Sequence, residues 1–410
     1  MEFDLKSLER DWIEGISGQE LLARVQSEAK LIQGQDLPVV IDQTDPYDFT
    51  VEFFAAVSAG RSIALANPNW GAQEREQFTA LIGLSTPPPA GAISSATSLK
   101  SGRQAKVILI PTGGTTNGIK LATHSWETLE IACKGVQQFL GGGAIDSCCV
   151  LPLYHVSGFM QLLRSYHSGG YIRFDEDEVE GRCLSYVPTQ LRRALLDEKR
   201  TQTLTTTRVI FVGGAPISES LATAARKLKL PVMPVYGMTE TAAMVAAIPV
   251  EDFLADPRAG ALPIGDTNVE IDTSGRIRVQ SPALFIGYHG GDSPDLTRGY
   301  LTEDEGYIDE KGRLHVMGRL DRLFISGGEK IDPREVEDAV SAIVGVEEVM
   351  ALGLPDPEWG QKLVVYYTGQ ELVDWKEQLK GQLSTYKLPK EMLRVDHLPL
   401  DEKGKFLRPS

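Results

Sequence analysis

VILIPTGGTTNGIK, residues 107–120, is an apolar run that breaks into a loop of three glycines and three threonines and ends on Lys120. A helical segment, HSWETLEIACKGVQQFL, follows at 124–140. Three further apolar runs lie downstream: CCVLPL at 148–153, RVIFVGG at 208–214 and PVMPVYG at 231–237. Between the last two, Pro216 and Ser218 lead into the helical SESLATAARKLKL. Continuous apolar strands separated by helices predict a mostly parallel α/β sheet with both faces covered.

Away from that block the texture changes. From about 262 to 318 the chain reads as short alternating strands with glycine turns, as in VEIDTSGRIRVQS and GYIDEKGRLHVMG, which predicts a β-rich subdomain with hairpins. After Gly318 a new unit begins. Asp332, Pro333 and Glu335 stand in N-cap, N1 and N3 order before the helix REVEDAVSAI. Strands at VEEVMALGL and KLVVYY, a helix at ELVDWKEQLKGQL and a short strand at EMLRV complete a pattern that can fold alone. The expected fold class is α/β. A large N-terminal domain of layered, mostly parallel sheets with a β-rich subdomain spans 1–318, a junction follows at 319–321, and a small α+β C-terminal domain spans 322–410. The Pro/Ser/Gly-rich stretch 86–104 reads as an exposed connection within the large domain.

Composition narrows the function. The chain has 410 residues, 42% of them hydrophobic and 24% charged, as in an ordinary globular enzyme. A net charge of −15 argues against a broad grip on nucleic acid or anionic lipid. Anionic substrates must then be held by loop amides and a few Lys and Arg. The opening MEFDLKSLERDWIEG lacks a basic start and an apolar stretch, so it does not read as a secretory signal. No apolar run is long enough to span a membrane, and a cytoplasmic enzyme is expected. Cys133, Cys148, Cys149 and Cys183 form no CxxC pair and read as small buried hydrophobes. The six histidines are scattered without HExxH, so no structural metal site is expected.

In the 111–120 loop, glycines let the backbone bring its amides around an anion, threonine hydroxyls add donors, and Lys120 adds charge. A P-loop would need GxxxxGK followed by Ser or Thr. Gly113 and Gly118 have that separation, but Ile119 occupies the lysine position and Lys120 comes one residue late. Phosphate binding by a different loop is the better reading.

The loop resembles the phosphate motif of the acyl- and aryl-CoA synthetase superfamily of adenylating enzymes, TSGTTGxPK. It departs from that pattern at Gly114, at Asn117–Gly118 and in lacking a proline before the lysine. The resemblance implies ATP, Mg²⁺ and coenzyme A, with Thr112, Gly113, Gly114, Thr115, Thr116 and Lys120 around the phosphates. VYGMTETA (235–242) resembles the superfamily's YGxTE motif. By that likeness Tyr236 stacks on adenine beside Gly237, Thr239 hydrogen-bonds the α-phosphate and Glu240 helps hold Mg²⁺. GGAPIS (213–218), with Gly214 and Ala215, resembles the turn that frames the adenine. TEDEGYIDEKGRLHVMGRLDRLFISGGEKI (302–331) resembles the ribose and hinge block. It implies Asp304 on the ribose hydroxyls, Arg319 on ribose or phosphate, Asp321 as the pivot of a mobile small domain, and Gly327 and Gly328 along the thiol's path. LPLDEKGKFLRPS (398–410) resembles the last motif and makes Lys405 the mobile catalytic lysine.

LPLYHVSGFMQLLRSYHSGG (151–170) and SYVPTQLRRALL (185–196) resemble the o-succinylbenzoate–CoA ligases of menaquinone and phylloquinone biosynthesis. In that family His155 would form a wall of the acyl pocket, and Arg164 is the candidate anchor for a second carboxylate. Ser157 and Thr241 could also line the pocket. FFAAVSAGRSIALANPNWG (53–71) still resembles the family's AG…NP segment, so the chain's shortness falls before it. The partners implied are a small acid, ATP and CoA, with a homodimer left open. Two competitors remain: a ligase that charges a carrier protein, and a nucleotide-binding protein without chemistry.

Overall fold

The structure, a computed structural model, describes residues 4–34, 37–83, 106–112, 119–290, 294–319, 324–327, 329–380 and 382–398. The 86–104 connection lies outside them. Two sheets form the body. The first runs Val39–Ile41, Ile63–Leu65, Ile108–Thr112, Lys120–His124, Gly287–Tyr288, its first three strands parallel and its last two antiparallel to their neighbours. The second has seven strands, in the order Leu262–Pro263, Ala243–Ala247, Val232–Met238, Val209–Val212, Cys183–Tyr186, Ser147–Cys148, Ile172–Arg173. The five from Val232–Met238 onward are parallel, and the outer two turn antiparallel.

Sequence reading runs from the 111–120 loop straight towards a helix, whereas a second strand, Lys120–His124, comes between. The reason is length. The connection from Thr112 to Lys120 is far too short for a parallel crossover, which takes a dozen or more residues, so the chain must turn back as a hairpin. Ser125 then caps the helix Trp126–Phe139: its hydroxyl accepts from Thr128 N at 3.2 Å while Thr128 Oγ1 accepts from Ser125 N at 3.1 Å.

Helices Trp126–Phe139 and Val156–Ser168 lie between the sheets. Leu129, Phe159 and Leu163 pack with Ile108, Ile110 and the aromatic helix Pro46–Ser58, while Val136 packs with Val209, Phe211 and Met233. Helices Pro188–Leu195, Glu198–Leu204 and Glu219–Lys227 cover the far face of the seven-stranded sheet. This layering is what continuous apolar strands require. A third, antiparallel sheet joins Asn268–Ile271, Arg276–Gln280, Tyr300–Ile308 and Leu314–Arg319, as the glycine-punctuated stretch predicted. Among the described residues, no helix is long and apolar enough to cross a membrane.

The last unit pairs Phe324–Ser326 with Glu329–Ile331, then places the helix Pro333–Ser341 on a sheet of Val346–Asp356, Gly360–Gly369 and Glu391–Arg394. Asp332 caps that helix, accepting from Arg334 N at 3.0 Å. Glu335 does not reach back to complete a capping box; its carboxylate pairs with Lys387 instead. The helix expected over 371–383 shrinks to Trp375–Leu379, bounded by left-handed backbone at Asp374 and extended backbone at Lys380. All four cysteines are free and buried. Burial pushes the thiols of Cys133, Cys148 and Cys149 up to about 12 and that of Cys183 to about 11, which makes them packing residues.

Phe53 sits at the centre of the aromatic cluster, with Phe159 at 4.9 Å and Phe54 at 5.2 Å between ring centroids. Phe53→Ala should cost about 3–5 kcal/mol of unfolding free energy. An unchanged denaturant midpoint would show that this cluster does not hold the inter-sheet layer.

Candidate active site

The strand Val232–Met238 leaves the sheet at its C-terminal end, turns through the 3₁₀ segment Thr239–Thr241 and returns as Ala243–Ala247. The turn is tight enough to force left-handed backbone on two non-glycine residues, Ala242 (φ 51°) and Ala243 (φ 78°). Such residues cost of order 1 kcal/mol each and persist only where the surroundings hold them. Thr241 does so here. Its hydroxyl accepts from Met238 N at 2.9 Å and reaches Ala243 O at 2.7 Å. That hydroxyl is therefore spent on the turn, and Thr241 is fully buried.

The hairpin of Ile108–Thr112 and Lys120–His124 meets this turn directly. Thr112 Oγ1 donates to Glu240 Oε1 at 3.3 Å, although the two residues are 128 positions apart. His124, at the other end of the hairpin, holds the Thr239 carbonyl from Nε2 at 2.8 Å, and its Nδ1 lies 3.1 Å from Thr128 Oγ1. A carbonyl only accepts, so Nε2 carries the proton and Nδ1 receives the Thr128 hydroxyl. Burial pushes the imidazole down to about 4, so the ring is neutral and keeps this tautomer. Lys120 faces Thr112 across the hairpin and sets its Nζ 5.2 Å from the centre of the Tyr288 ring.

A second group assembles at the C-terminal ends of the parallel strands, where open α/β sheets bind ligands. Tyr236 O–H donates to Asp304 Oδ2 at 2.7 Å, joining the seven-stranded sheet to the antiparallel one. Burial and the neighbouring Asp304 carboxylate both raise the Tyr236 phenol well above its ordinary value, so it stays a donor. Asp304 pairs in register with Arg319. Gly214, left-handed at φ 82°, and Ala215 form an exposed rim after the neighbouring strand. Gly237 has no room for a side chain: a Cβ there would lie 1.7 Å from Ala243 O.

Arg164, on the helix Val156–Ser168, is 3% exposed. Its guanidinium lies 5.3 Å from the Phe211 ring centre and 3.6 Å from Met244 Sδ, and its Nε has no hydrogen-bond partner. Burial lowers its pKa, and the thiols of Cys133, Cys183 and Cys149 act in the opposite direction. A guanidinium stays charged, so this is a buried cation without a carboxylate among the described residues. Met244 pairs with Gly237, so Arg164 packs from its helix against the hairpin whose tip is Thr239–Thr241. His155 precedes the same helix against Tyr154, with ring centroids 4.6 Å apart, and Ser157 is exposed on its first turn. Gly327, left-handed at φ 58°, lies under Trp359, whose ring a Cβ would meet at 2.8 Å.

Gly113, Gly114, Thr115, Thr116, Asp321, Gly328 and Lys405 lie outside the described residues, as does the side chain of Arg319. Sequence reasoning missed His124, Tyr288 and Tyr300. Tyr288 O–H donates to Glu240 Oε1 at 2.8 Å and lies 3.1 Å from the Tyr300 hydroxyl. No spacing rule could find them, because each meets its partner through side-chain contacts between separate elements. A divalent cation fits Glu240 only in company. Among the described residues no three His, Cys, Asp or Glu side chains converge as a protein cage would require. One buried carboxylate, a threonine hydroxyl and the phosphates of a nucleotide form the hard-oxygen set that suits Mg²⁺.

Residues 94–289 match the model of the AMP-binding enzyme family, and residues 335–405 match that of the AMP-binding enzyme C-terminal domain. The chain belongs to the AMP-binding enzyme family. It is 32% identical to the 2-succinylbenzoate–CoA ligase of Listeria monocytogenes over 316 residues, covering 72% of this chain and 68% of that protein. The 2-succinylbenzoate–CoA ligase of Enterococcus faecalis is 30% identical over 325 residues, with 72% and 67% covered. Among solved structures, a variant of E. coli MenE with bound OSB-AMS is 25% identical, with 95% and 93% covered and a TM-score of 0.77. The o-succinylbenzoate CoA synthetase of Bacillus subtilis, in complex with the acyl-adenylate intermediate OSB-AMP, shares the fold at 23% identity, with 98% and 96% covered and a TM-score of 0.81.

Gly237→Ala should abolish nucleotide binding, checked by calorimetric titration with ATP, since the clash is with backbone that cannot move aside. The buried histidines set a pH dependence. His124 is held at about 4 against an ordinary 6.5, and His167 likewise, in both cases chiefly by burial. Between those values the unfolded chain takes up protons that the folded chain refuses. The share of stability owed to these two neutral rings should therefore be lost as pH drops from about 6.5 to about 4. In His124→Gln the unfolding free energy should fall less steeply over that window; an unchanged slope would contradict the assignment.

Proposed function

We propose that this chain is an AMP-forming acid–thiol ligase that activates 2-succinylbenzoate with MgATP and passes the acyl group to coenzyme A, a step towards menaquinone or phylloquinone. The observation that carries the reading is the contact of the phosphate hairpin with the Thr239–Thr241 turn, through Thr112–Glu240 and His124–Thr239. One nucleotide can touch both segments, and the Tyr236–Asp304 pair offers it a base and ribose site.

In the first half-reaction a carboxylate oxygen of the acid attacks the α-phosphorus of ATP and pyrophosphate leaves. Lys120 and the loop of Thr112, Gly113, Gly114, Thr115 and Thr116 hold the phosphates. Thr239 donates to the α-phosphate, and Glu240 takes one coordination position of Mg²⁺. Tyr236 packs on adenine between Gly237 and the Gly214–Ala215 rim, while Asp304 and Arg319 hold the ribose. Lys405 neutralises the charge that develops between carboxylate and α-phosphate. In the second half-reaction the small domain, 322–410, pivots about Asp321 in the 319–321 junction and withdraws Lys405 from the 1–318 domain. Gly327 and Gly328 then line the thiol's approach. The sulfur forms its bond to the acyl carbon, the thiol proton is lost, and AMP leaves. Exchanging part of the pocket lets one site serve two chemistries.

The choice of acid rests on Arg164. A buried cation with an unpartnered Nε is costly until an anion enters. 2-Succinylbenzoate has two carboxylates: one reacts and the other can take the guanidinium, with His155 and Ser157 along the pocket. The compartment implied is the cytoplasm, where ATP and CoA are supplied.

A pyrophosphate-release screen over aromatic and aliphatic acids should give its highest kcat/KM with 2-succinylbenzoate, and CoA alone should suffice to form thioester. In Arg164→Ala the KM for that acid should rise about 100-fold, the cost of leaving one member of a buried charge pair alone. An unaltered KM would place the anchor elsewhere. Lys405→Ala should lose adenylation yet still convert supplied acyl-AMP with CoA; equal loss of both half-reactions would remove the role assigned to it.

A further inference from the structure

Glu240 is a carboxylate at 7% exposure, and among the described residues its two hydroxyl donors, Tyr288 and Thr112, both go to Oε1. None goes to Oε2. Since a carboxylate only accepts, the Tyr288 proton must point at Glu240, and the Tyr300 hydroxyl, 3.1 Å away, must then donate to the Tyr288 oxygen. The result is a directed chain, Tyr300 to Tyr288 to Glu240. A donor that itself accepts a hydrogen bond is a stronger donor, so the second tyrosine reinforces the first.

The chain is mounted rigidly. Phe285 packs edge-on against both phenol rings, at 4.9 Å and 5.2 Å between centroids, and its own N–H donates to the Glu240 carbonyl at 2.9 Å. Ile286 N donates to Thr123 O at 2.7 Å and His289 N to Leu121 O at 2.9 Å, which fixes Gly287–Tyr288 as the edge strand beside the phosphate hairpin. Lys120 lies over the face of the Tyr288 ring.

We propose that Tyr288, backed by Tyr300, is the positioning residue that pins Oε1 of Glu240 and presents Oε2 to the cation carried by the nucleotide. This rests on Glu240 holding Mg²⁺ and adds how the carboxylate is aimed. Unpinned, a glutamate can rotate about its last torsion and offer the metal either oxygen or neither. Pinned, it meets Mg²⁺ at one angle, which suits an ion that demands near-ideal octahedral geometry.

The test measures binding rather than turnover. Affinity for α,β-methylene-ATP is titrated calorimetrically with Mg²⁺ and again with EDTA, and the ratio gives the gain owed to the metal. In Tyr288→Phe that gain should fall about tenfold while the EDTA affinity stays within about twofold, since a hydrogen bond to a charged group is worth roughly this much. Tyr300→Phe should lower it about threefold, by weakening the same chain. A role confined to packing would move both affinities together or neither, and that result would overturn the proposal. Glu240→Gln separates the two layers. If it abolishes the metal-dependent gain and Tyr288→Phe does not, Glu240 keeps its metal role and the positioning claim falls. If Glu240→Gln leaves the gain intact, the assignment of the metal to Glu240 is itself wrong. Should Tyr288→Phe fail to fold, Tyr300→Phe decides alone, and an unchanged gain there refutes the proposal.

Discussion

A buried carboxylate sits where three sheets meet, and the rest of the site is arranged around the need to satisfy it. Glu240 belongs to the hairpin at the end of the seven-stranded sheet. It accepts from Thr112 and Tyr288 of the five-stranded sheet, and Tyr300 of the antiparallel sheet stands behind Tyr288. Taking an ionised group out of water is expensive unless hydroxyls or cations replace that water. Each sheet contributes to the replacement, so the position of one side chain constrains how three separately formed layers pack.

The same junction explains the strain next to it. Ala242 and Ala243 adopt left-handed backbone that glycine would adopt more readily. The Thr241 hydroxyl and the His124 grip on the Thr239 carbonyl hold the turn in that shape. A neutral, deeply buried imidazole is well matched to this position, because it donates from one nitrogen and accepts at the other, and burial removes any tendency to charge. These hydrogen bonds fix the turn within the protein itself.

Arg164 illustrates the opposite arrangement. Glu240 is compensated by the protein, whereas the guanidinium, at 3% exposure, has a thioether, an aromatic face and thiols for company. A fold tolerates such a cation when a ligand completes it. Satisfied polar groups build the frame here, and the Arg164 Nε stands apart from it without a hydrogen-bond partner.

The sequence by itself determined the layered α/β body, the β-rich stretch and the final small unit, because apolar runs, glycine turns and caps act over a few residues. The loop chemistry also marked Thr112 and Lys120, whereas Tyr236, Glu240, Asp304 and Arg164 were marked only through motifs that resemble those of a known family. The strand Lys120–His124 was missed, and only once it is seen does the short connection from Thr112 explain its antiparallel direction. Tertiary structure alone decided what those residues touch. That Glu335 serves Lys387 rather than its own helix, that Tyr236 leans on Asp304, and that His124, Tyr288 and Tyr300 belong to the site at all follow from contacts between segments far apart in the chain. Hydrogen bonds of that kind depend on how finished sheets dock, and no local pattern of residues encodes a docking.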